Sequence, residues 1–272
     1  MIKGKRDPEP KAVAEADLIW QDWIKLHPEL FSPPSEKARK NVLHRIEQVY
    51  RSGGWIVDLG GGFSVTNGLL AALGMQVNVF DIFEYDLGWL RASGGYDYSS
   101  LMRFLTRAGV HFFEVDVCKC NLRTHFPENS VDAVVSYHCL EHLHQSPREV
   151  LESALAVLKP NGLLLVEVPN AINLLKRLKV LVGKTNYSDY GDYYESTNFT
   201  GHVREYSVSD LKRLAAYLGL AEFEIYGKNW YGSLFDVLGN GWPGQGADAL
   251  LTRFPGLCGS LFLRAAKVPT IT

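Results

Sequence analysis

Histidine and glutamate side chains lie close together in the stretch HCLEH, residues 138–142. Imidazole and carboxylate groups are among the side chains that most often move protons or bind transition metals. If the stretch is helical, the i, i+3 and i+4 spacing turns His138, Glu141 and His142 to one side. A further histidine, His202, follows in FTGHVREYS, and the four together would suit Zn, Mn, Fe or Co.

The order H-x-x-E-H is also the signature of one class of zinc peptidases. A peptidase would need this motif inside a long helix, with a further ligand on another element. The residues before it, VDAVVSYH, are instead short, β-branched and apolar, which predicts a strand that ends at the motif. We therefore disfavour a peptidase, and two roles stay open for these side chains: metal ligation and proton transfer.

A second constellation is the glycine-rich turn in VDLGGGFSV, residues 57–65. Gly60 permits a tight turn, and Gly62 lets the backbone approach a ligand closely. A dinucleotide fold would carry glycine or alanine at the third position of its fingerprint, where this chain has Val65, which weakens a nicotinamide or flavin interpretation. Asp58, just before the glycines, would repel a pyrophosphate and suits a cationic ligand.

Length and composition favour an enzyme with a full-sized core. The chain has 272 residues, 46% of them hydrophobic, and a formal net charge of −2. This charge favours neither nucleic acid nor an anionic membrane as a partner. The N-terminus has no apolar run of a secretory signal, and no stretch approaches the roughly 20 apolar residues of a membrane span. The four cysteines show neither zinc spacing nor disulfide density, so we expect a reduced, cytoplasmic location.

The pattern of elements predicts an α/β fold. Residues 1–53 are expected to form an N-terminal helical segment, and residues 54–272 one domain. From residue 55 short, doubly apolar strands alternate with helical patterns, which predicts a parallel sheet covered by helices on both faces. After residue 169 the alternation breaks, which predicts an insertion over about 171–205 that covers the site. Two final strands are expected to complete the sheet as a hairpin.

Four motifs in this order resemble those of class I S-adenosylmethionine-dependent methyltransferases. An acidic residue before a glycine turn matches Asp58 to Gly62, and the acid that closes the second strand and holds the ribose matches Asp81. The acid near the adenine amine matches Asp116, with Val117 beside the ring. The fourth and fifth strands, VDAVVSYHCLEHL and LKPNGLLLVEVPN, carry the remaining motifs. The resemblance implies a Rossmann-like, seven-stranded, mostly parallel sheet. It assigns the cofactor site to Asp58, Gly60, Gly61, Gly62, Asp81, Ile82, Asp116, Val117 and Tyr137.

The same resemblance implies a role for HCLEH. Two metal-dependent methyltransferase groups, which act on small RNAs and in the ubiquinone pathway, are similar here but have glutamate where this chain has His138. The resemblance implies catalytic roles for Glu141, His142 and His202. It leaves open a divalent metal (Mn, Zn, Co or Mg) held by His138, Glu141, His142 and His202.

The insertion is rich in tyrosine among short polar residues, which favours a polyhydroxylated acceptor. We expect Tyr190, Tyr193, Tyr194 and Trp230 to contact it, with Trp242 near the same opening. The sequence as a whole resembles bacterial methyltransferases of glycan and natural-product pathways. The leading hypothesis is therefore O-methylation of a saccharide or glycoside. N- or C-methylation of a natural product or quinone-like ring, and a silent cofactor-binding subunit, are the alternatives. Self-association into a homo-oligomer is left open.

Overall fold

A seven-stranded sheet forms the centre of the protein in a computed structural model that describes residues 10–83, 98–197, 199–230 and 250–268. The strand order is β3-β2-β1-β4-β5-β7-β6, with parallel pairing from β3 to β5 and antiparallel pairing of β7 with both neighbours. This confirms the predicted fold and the final hairpin. The strands are β1 (Trp55–Leu59), β2 (Gln76–Asp81), β3 (Val110–Glu114), β4 (Val131–Tyr137), β5 (Leu158–Pro169), β6 (Phe223–Lys228) and β7 (Ser260–Ala266).

The helices begin where the sequence supplies capping side chains. Ser35, Ser64 and Ser207 each accept a hydrogen bond from the first turn of the helix that follows, which satisfies otherwise unpaired N–H groups. The α-helices of the described ranges are α1 (Pro10–Leu26), α2 (Glu36–Val49), α3 (Val65–Ala72), α4 (Tyr98–Arg107), α5 (Arg148–Val157), α6 (Leu174–Leu181), α7 (Tyr190–Glu195) and α8 (Val208–Tyr217).

Alternate residues of each central strand point into two separate hydrophobic cores. In β5, Leu164 and Val166 belong to the core formed with α5 and α8, whereas Leu163 and Leu165 belong to the core formed with α1 to α4. This alternation is what a strand buried on both faces requires. Trp20 of α1 and Ile46 of α2 lie in the second core, so the N-terminal helices share a core with the sheet.

The stretch 138–142 does not form the predicted helical turn with three aligned side chains. His138 extends β4 by one residue, since its N–H donates to the Glu167 carbonyl at 2.9 Å, and it adopts a positive φ of 54°. A single 3-10 turn then covers Leu140–His142, and α5 begins only at Arg148. His138 therefore lies at the end of the strand, and Glu141 and His142 lie in the turn that follows.

The predicted insertion forms an exposed layer that returns to the sheet. Neither α6 nor α7 contains a buried residue. The segment ends at Tyr206, which forms a bridge with Asn170 at the end of β5. Within the described ranges, none of the helices is long and apolar enough to cross a membrane.

Candidate active site

The turn after β1 is built so tightly that it needs glycine. Gly60 has a φ of 70°, and its N–H donates to the Phe80 carbonyl at 2.7 Å. A Cβ at Gly60 would lie 2.3 Å from the Sγ of Cys139, and a Cβ at Gly61 would lie 2.3 Å from the Oδ2 of Asp58. Both contacts are far too short, so the turn approaches the end of β4 in a way that no side chain permits.

Asp58 places a buried carboxylate beneath this turn. Its Oδ2 accepts a hydrogen bond from Asn67 Nδ2 at 2.8 Å, while its Oδ1 is buried and makes no hydrogen bond within the described part of the chain. Burial raises the pKa of Asp58 to about 6, against the effect of the Asn67 hydrogen bond, and nearby Asp81 raises it further. A buried carboxylate with an unsatisfied oxygen favours a cationic ligand nearby.

Asp81 closes β2 and faces the same turn. Its Oδ2 accepts from the Gly62 N–H at 3.0 Å and its Oδ1 from the Phe83 N–H at 2.7 Å. Burial raises the pKa of Asp81, although these backbone donors oppose the shift. A carboxylate has about four acceptor sites, so Asp81 can still accept a hydrogen bond from a ligand hydroxyl. Ile82, next in the chain, is 43% exposed.

The remaining predicted cofactor residues lie after β3 and at the end of β4. Asp116 caps a 3-10 turn by accepting from the Cys118 N–H at 2.9 Å, and it also pairs with Lys119 at 3.0 Å. Val117 is buried in that turn. The Tyr137 hydroxyl is buried and makes no hydrogen bond among the described residues. Because β1 to β4 are parallel, these groups share one edge of the sheet with the glycine turn.

Glu141, His142 and His202 form a second group. One ligand atom from each lies within 4.8 Å of the others, and the two imidazole centroids are 5.0 Å apart. The Val203 and Arg204 N–H groups donate to the Glu141 carbonyl at 2.7 and 3.1 Å. These backbone bonds hold the end of the insertion, residues 199–206, against the 3-10 turn. This part of the chain, the returning segment, thereby brings His202 to His142.

Both histidines in this group are oriented through Nδ1. His142 Nδ1 lies 2.8 Å from the Thr200 carbonyl oxygen, and His202 Nδ1 lies 2.8 Å from Oε1 of Glu205. Since both partners are acceptors, the proton is on Nδ1 and the lone pair on Nε2 in the neutral rings. Burial lowers the pKa of His142, although Glu141 opposes the shift, so its base form predominates at neutral pH.

The structure places the ring of His138 between two carboxylates. Its Nδ1 lies 3.2 Å from Oε1 of Glu141, and its Nε2 lies 3.1 Å from Oε1 of Glu167. Burial alone would lower the pKa of His138, but the hydrogen bonds to the two carboxylates raise it to about 9. His138 is not among the residues whose ligand atoms lie within 4.8 Å of one another, which are Glu141, His142 and His202. Metal ligation by His138 stays a prediction.

The predicted acceptor residues lie in two different places. Tyr190 and Tyr194 stack at 5.9 Å in the exposed insertion, and Tyr193 contacts Phe199 edge-on at 5.2 Å. Trp230 instead lies at the end of β6, near His44 and Lys228. Trp242 lies outside the described residues.

Sequence reasoning missed four polar side chains that make hydrogen bonds to one another or to the predicted site residues. Two were detectable: an acid inside the apolar strand LLLVEVP, and an acid three residues after His202 in HVREY. The other two, a basic residue of α2 and an amide of α3, carry no local signal. The missed residues are Arg45, Asn67, Glu167 and Glu205.

The family model described as "Methyltransferase domain" matches residues 34–223, more than half of the chain. The chain belongs to this methyltransferase family. With the glycine turn, Asp58 and Asp81 in place, the protein is an S-adenosylmethionine-dependent methyltransferase of class I. The match begins before α2, inside the segment that was predicted to be separate from the domain.

Solved structures share the fold of this methyltransferase at low sequence identity. A SAM-dependent methyltransferase from Archaeoglobus fulgidus is 16% identical, with a TM-score of 0.53 and coverage of 92% of this chain and 99% of its own. A Mesorhizobium loti methyltransferase is 16% identical, with a TM-score of 0.51, and the match covers 85% of this chain and 98% of its own. Phosphoethanolamine N-methyltransferase 2 of Haemonchus contortus is also 16% identical, with a TM-score of 0.52 and coverage of 93% and 57%. No curated protein matches the sequence.

We expect the affinity of this methyltransferase for S-adenosylmethionine to fall in acid because of Asp58. The raised pKa means that the free protein favours a protonated Asp58 below about pH 6, and ionisation above it places a buried charge that a cationic cofactor would compensate. Lowering the pH from 7 to 5 should weaken binding about ten-fold. Calorimetry across this range tests the prediction, with Asp58→Asn as the control that should bind weakly and lose this dependence. If the affinity of Asp58→Asn still falls ten-fold between pH 7 and pH 5, the prediction is contradicted.

Proposed function

We propose that this methyltransferase acts on a hydroxyl oxygen of a small polyhydroxylated acceptor, with saccharides and glycosides as the leading class. The observation that carries the proposal is the group of Glu141, His142 and His202, with ligand atoms within 4.8 Å of one another. A hydroxyl must lose its proton as its oxygen attacks a methyl carbon. This group offers two imidazoles for that task.

The cofactor residues fix where the reaction takes place. When bound, S-adenosylmethionine supplies an electrophilic methyl group. Asp81 would hold the ribose hydroxyls, Asp58 would favour the cationic end, and the Gly60–Gly62 turn would let the backbone approach closely. The chemistry then depends mainly on alignment of the acceptor oxygen with the methyl carbon and sulfur.

Proton removal is assigned to His142, with His202 beside it. The Thr200 carbonyl holds His142 Nδ1–H, so the lone pair of Nε2 is the one that accepts a proton. The lowered pKa of His142 keeps the ring neutral at physiological pH. Glu141 Oε1 lies 4.0 Å from His142 Nε2 and would stabilise the cation formed when the ring takes up a proton.

The same three side chains fit a divalent metal. A two-histidine, one-carboxylate set suits Mn, Fe, Co or Zn better than Mg. Oε2 of Glu141 is buried without a hydrogen bond among the described residues, and His202 Nδ1 is held by Glu205, as outer partners commonly hold metal-binding histidines. A bound ion would lower the pKa of an acceptor hydroxyl.

The insertion supports a carbohydrate-like acceptor. Tyr190, Tyr193 and Tyr194 remain 73%, 60% and 76% exposed, although two of them already stack on each other. Exposed aromatic faces offer contact area for the C–H faces of a sugar, and the surrounding short polar side chains offer hydrogen bonds. This segment ends at the residues that contact His142, so acceptor contact and catalysis lie on one stretch of chain.

The proposal is tested by the release of S-adenosylhomocysteine from purified enzyme with matched acceptors. The panel pairs glycosides with their deoxy counterparts, and adds a phenol, a quinol and an amine of similar size. We expect turnover with a glycoside and none with the analogue that lacks the accepting hydroxyl. Turnover confined to the amine would favour N-methylation, the alternative, and would overturn the proposed acceptor class.

A further inference from the structure

A chain of hydrogen-bonded side chains connects α2 to the catalytic group, which is the group of Glu141, His142 and His202. The Arg45 guanidinium donates to Oε2 of Glu167 through Nε at 3.0 Å and Nη2 at 2.7 Å. The other oxygen of Glu167, Oε1, lies 3.1 Å from His138 Nε2, and His138 Nδ1 lies 3.2 Å from Oε1 of Glu141. Arg45, Glu167, His138 and Glu141 thus form one continuous hydrogen-bond network.

Both carboxylates of the network lie in the interior of the protein. The side chains of Glu141 and Glu167 are fully buried, and those of Arg45 and His138 are 14% and 28% exposed. Despite burial, Arg45 and His138 lower the pKa of Glu167 to about 2. Each buried carboxylate therefore has a hydrogen-bond partner in the network, as buried polar groups require.

Stability alone is a weak explanation for such a network. Buried ion pairs can usually be replaced by well-packed apolar residues with little or no loss of stability. His138 also adopts a positive φ, which is unfavourable for a residue with a side chain. Strained residues of this kind concentrate at functional sites, and this one lies between the cofactor strand and the catalytic turn.

The network ends at the group that performs proton transfer. Glu141 is held at its backbone carbonyl by the returning segment and at its carboxylate by His138. Oε1, the oxygen that contacts His138, is also the one 4.0 Å from His142 Nε2. The position of the carboxylate beside His142 therefore depends on His138, and through it on Glu167 and Arg45.

We propose that His138 is a positioning residue that fixes Glu141 beside His142, and that Glu167 and Arg45 position His138 in turn. The proposal rests on the proposed function of the Glu141 group and deepens it. It gives helix α2 an indirect part in catalysis, through Arg45. It also gives the first histidine of H-x-x-E-H a role other than metal ligation.

A double-mutant cycle in turnover tests the proposal. The variants are Glu167→Gln, Glu141→Gln and the double variant, and kcat, acceptor KM, cofactor affinity and melting temperature are measured for each. Glu167→Gln should lower kcat about ten-fold, which is the lower end of the effect seen when an outer partner of a metal-binding residue is replaced. Its affinity for the cofactor should change by no more than about two-fold. In the Glu141→Gln background the same substitution should have no further effect on kcat, because the carboxylate that the network positions is already absent.

Two outcomes separate the network from the catalytic group itself. If Glu141→Gln is impaired but the two losses multiply, or if Glu167→Gln keeps full kcat, the positioning role is overturned and the proposed function stands. If Glu141→Gln itself keeps full kcat, the proposed function of this group fails.

Variants of Arg45 provide a second test, which does not depend on whether Glu167→Gln folds. Arg45→Met should lower kcat, and Arg45→Lys should restore part of it, since lysine keeps the charge but loses the two-pronged hydrogen bond. His111→Gln, at an exposed position of β3, is the matched control and should change neither kcat nor melting temperature. A fall in melting temperature for Arg45→Met with kcat unchanged would show a purely structural role and overturn the proposal.

Discussion

Replacement of Asp81 by alanine is expected to weaken S-adenosylmethionine binding by about two to four orders of magnitude. The change would remove two charge-assisted hydrogen bonds to the ribose, each worth roughly 1.5–3 kcal/mol. It would also release the Gly62 and Phe83 N–H groups that the carboxylate now holds at 3.0 and 2.7 Å. Isothermal calorimetry measures the loss.

Two controls make this prediction specific. Asp81→Asn keeps the size of the side chain and one acceptor oxygen, so it should lose part of the affinity. Asp22→Ala removes an exposed carboxylate from α1 and should leave the affinity unchanged. Unchanged affinity in Asp81→Ala would contradict the ribose assignment, and tighter binding of NAD than of S-adenosylmethionine would contradict the cofactor itself.

Replacement of His142 by alanine should lower kcat by about 10²–10⁴-fold, the usual contribution of a positioned general base. Cofactor affinity should stay unchanged, because His142 contacts the returning segment rather than the glycine turn. His202→Ala should act in the same way. His144→Ala is the matched control, since His144 also contacts that segment, at the Phe199 carbonyl, but lies outside the group of three. Equal kcat for His142→Ala and the wild type would remove the histidine from the mechanism.

Chelation and pH separate a metal from a simple base at this site. If an ion is required, a chelator should abolish turnover, and Mn, Co or Zn should restore it. A base alone should give a rate that falls below the pKa of His142, which burial lowers, so the fall should lie below pH 6.5. A metal site also loses activity in acid as its ligands are protonated, but added metal should move that fall to lower pH. Full turnover of metal-free enzyme would contradict the metal proposal.

The sequence predicted the cofactor edge because its determinants are local. Gly60 must turn, Asp58 and Asp81 end neighbouring strands, and the carboxyl ends of parallel strands meet at one edge of a sheet. The resemblance to class I methyltransferases assigned these groups to the cofactor, and the pattern of parallel strands predicted that they share an edge. Their hydrogen-bond partners, such as Asn67 from α3, depend on packing and could not be inferred in the same way.

The role of His138 could not be predicted because it depends on residues distant in the sequence. Spacing alone placed His138 on one face with Glu141 and His142, which assumed a helix. The structure instead gives His138 a positive φ and places its ring between Glu141 and Glu167 of β5. Glu167 is fully buried and pairs with Arg45 of α2 as well as with His138. No local pattern in the sequence encodes this set of contacts.

The most direct test follows the methyl group itself. The enzyme is incubated with S-adenosylmethionine that carries a ¹³C-labelled methyl group and with the glycoside that gives the highest turnover, and the product is examined by NMR and mass spectrometry. We predict one new labelled methyl group on a hydroxyl oxygen and an equal amount of S-adenosylhomocysteine. His142→Ala should give neither above background. A labelled methyl group on nitrogen or carbon, or S-adenosylhomocysteine release without a methylated product, would contradict O-methyl transfer at this site.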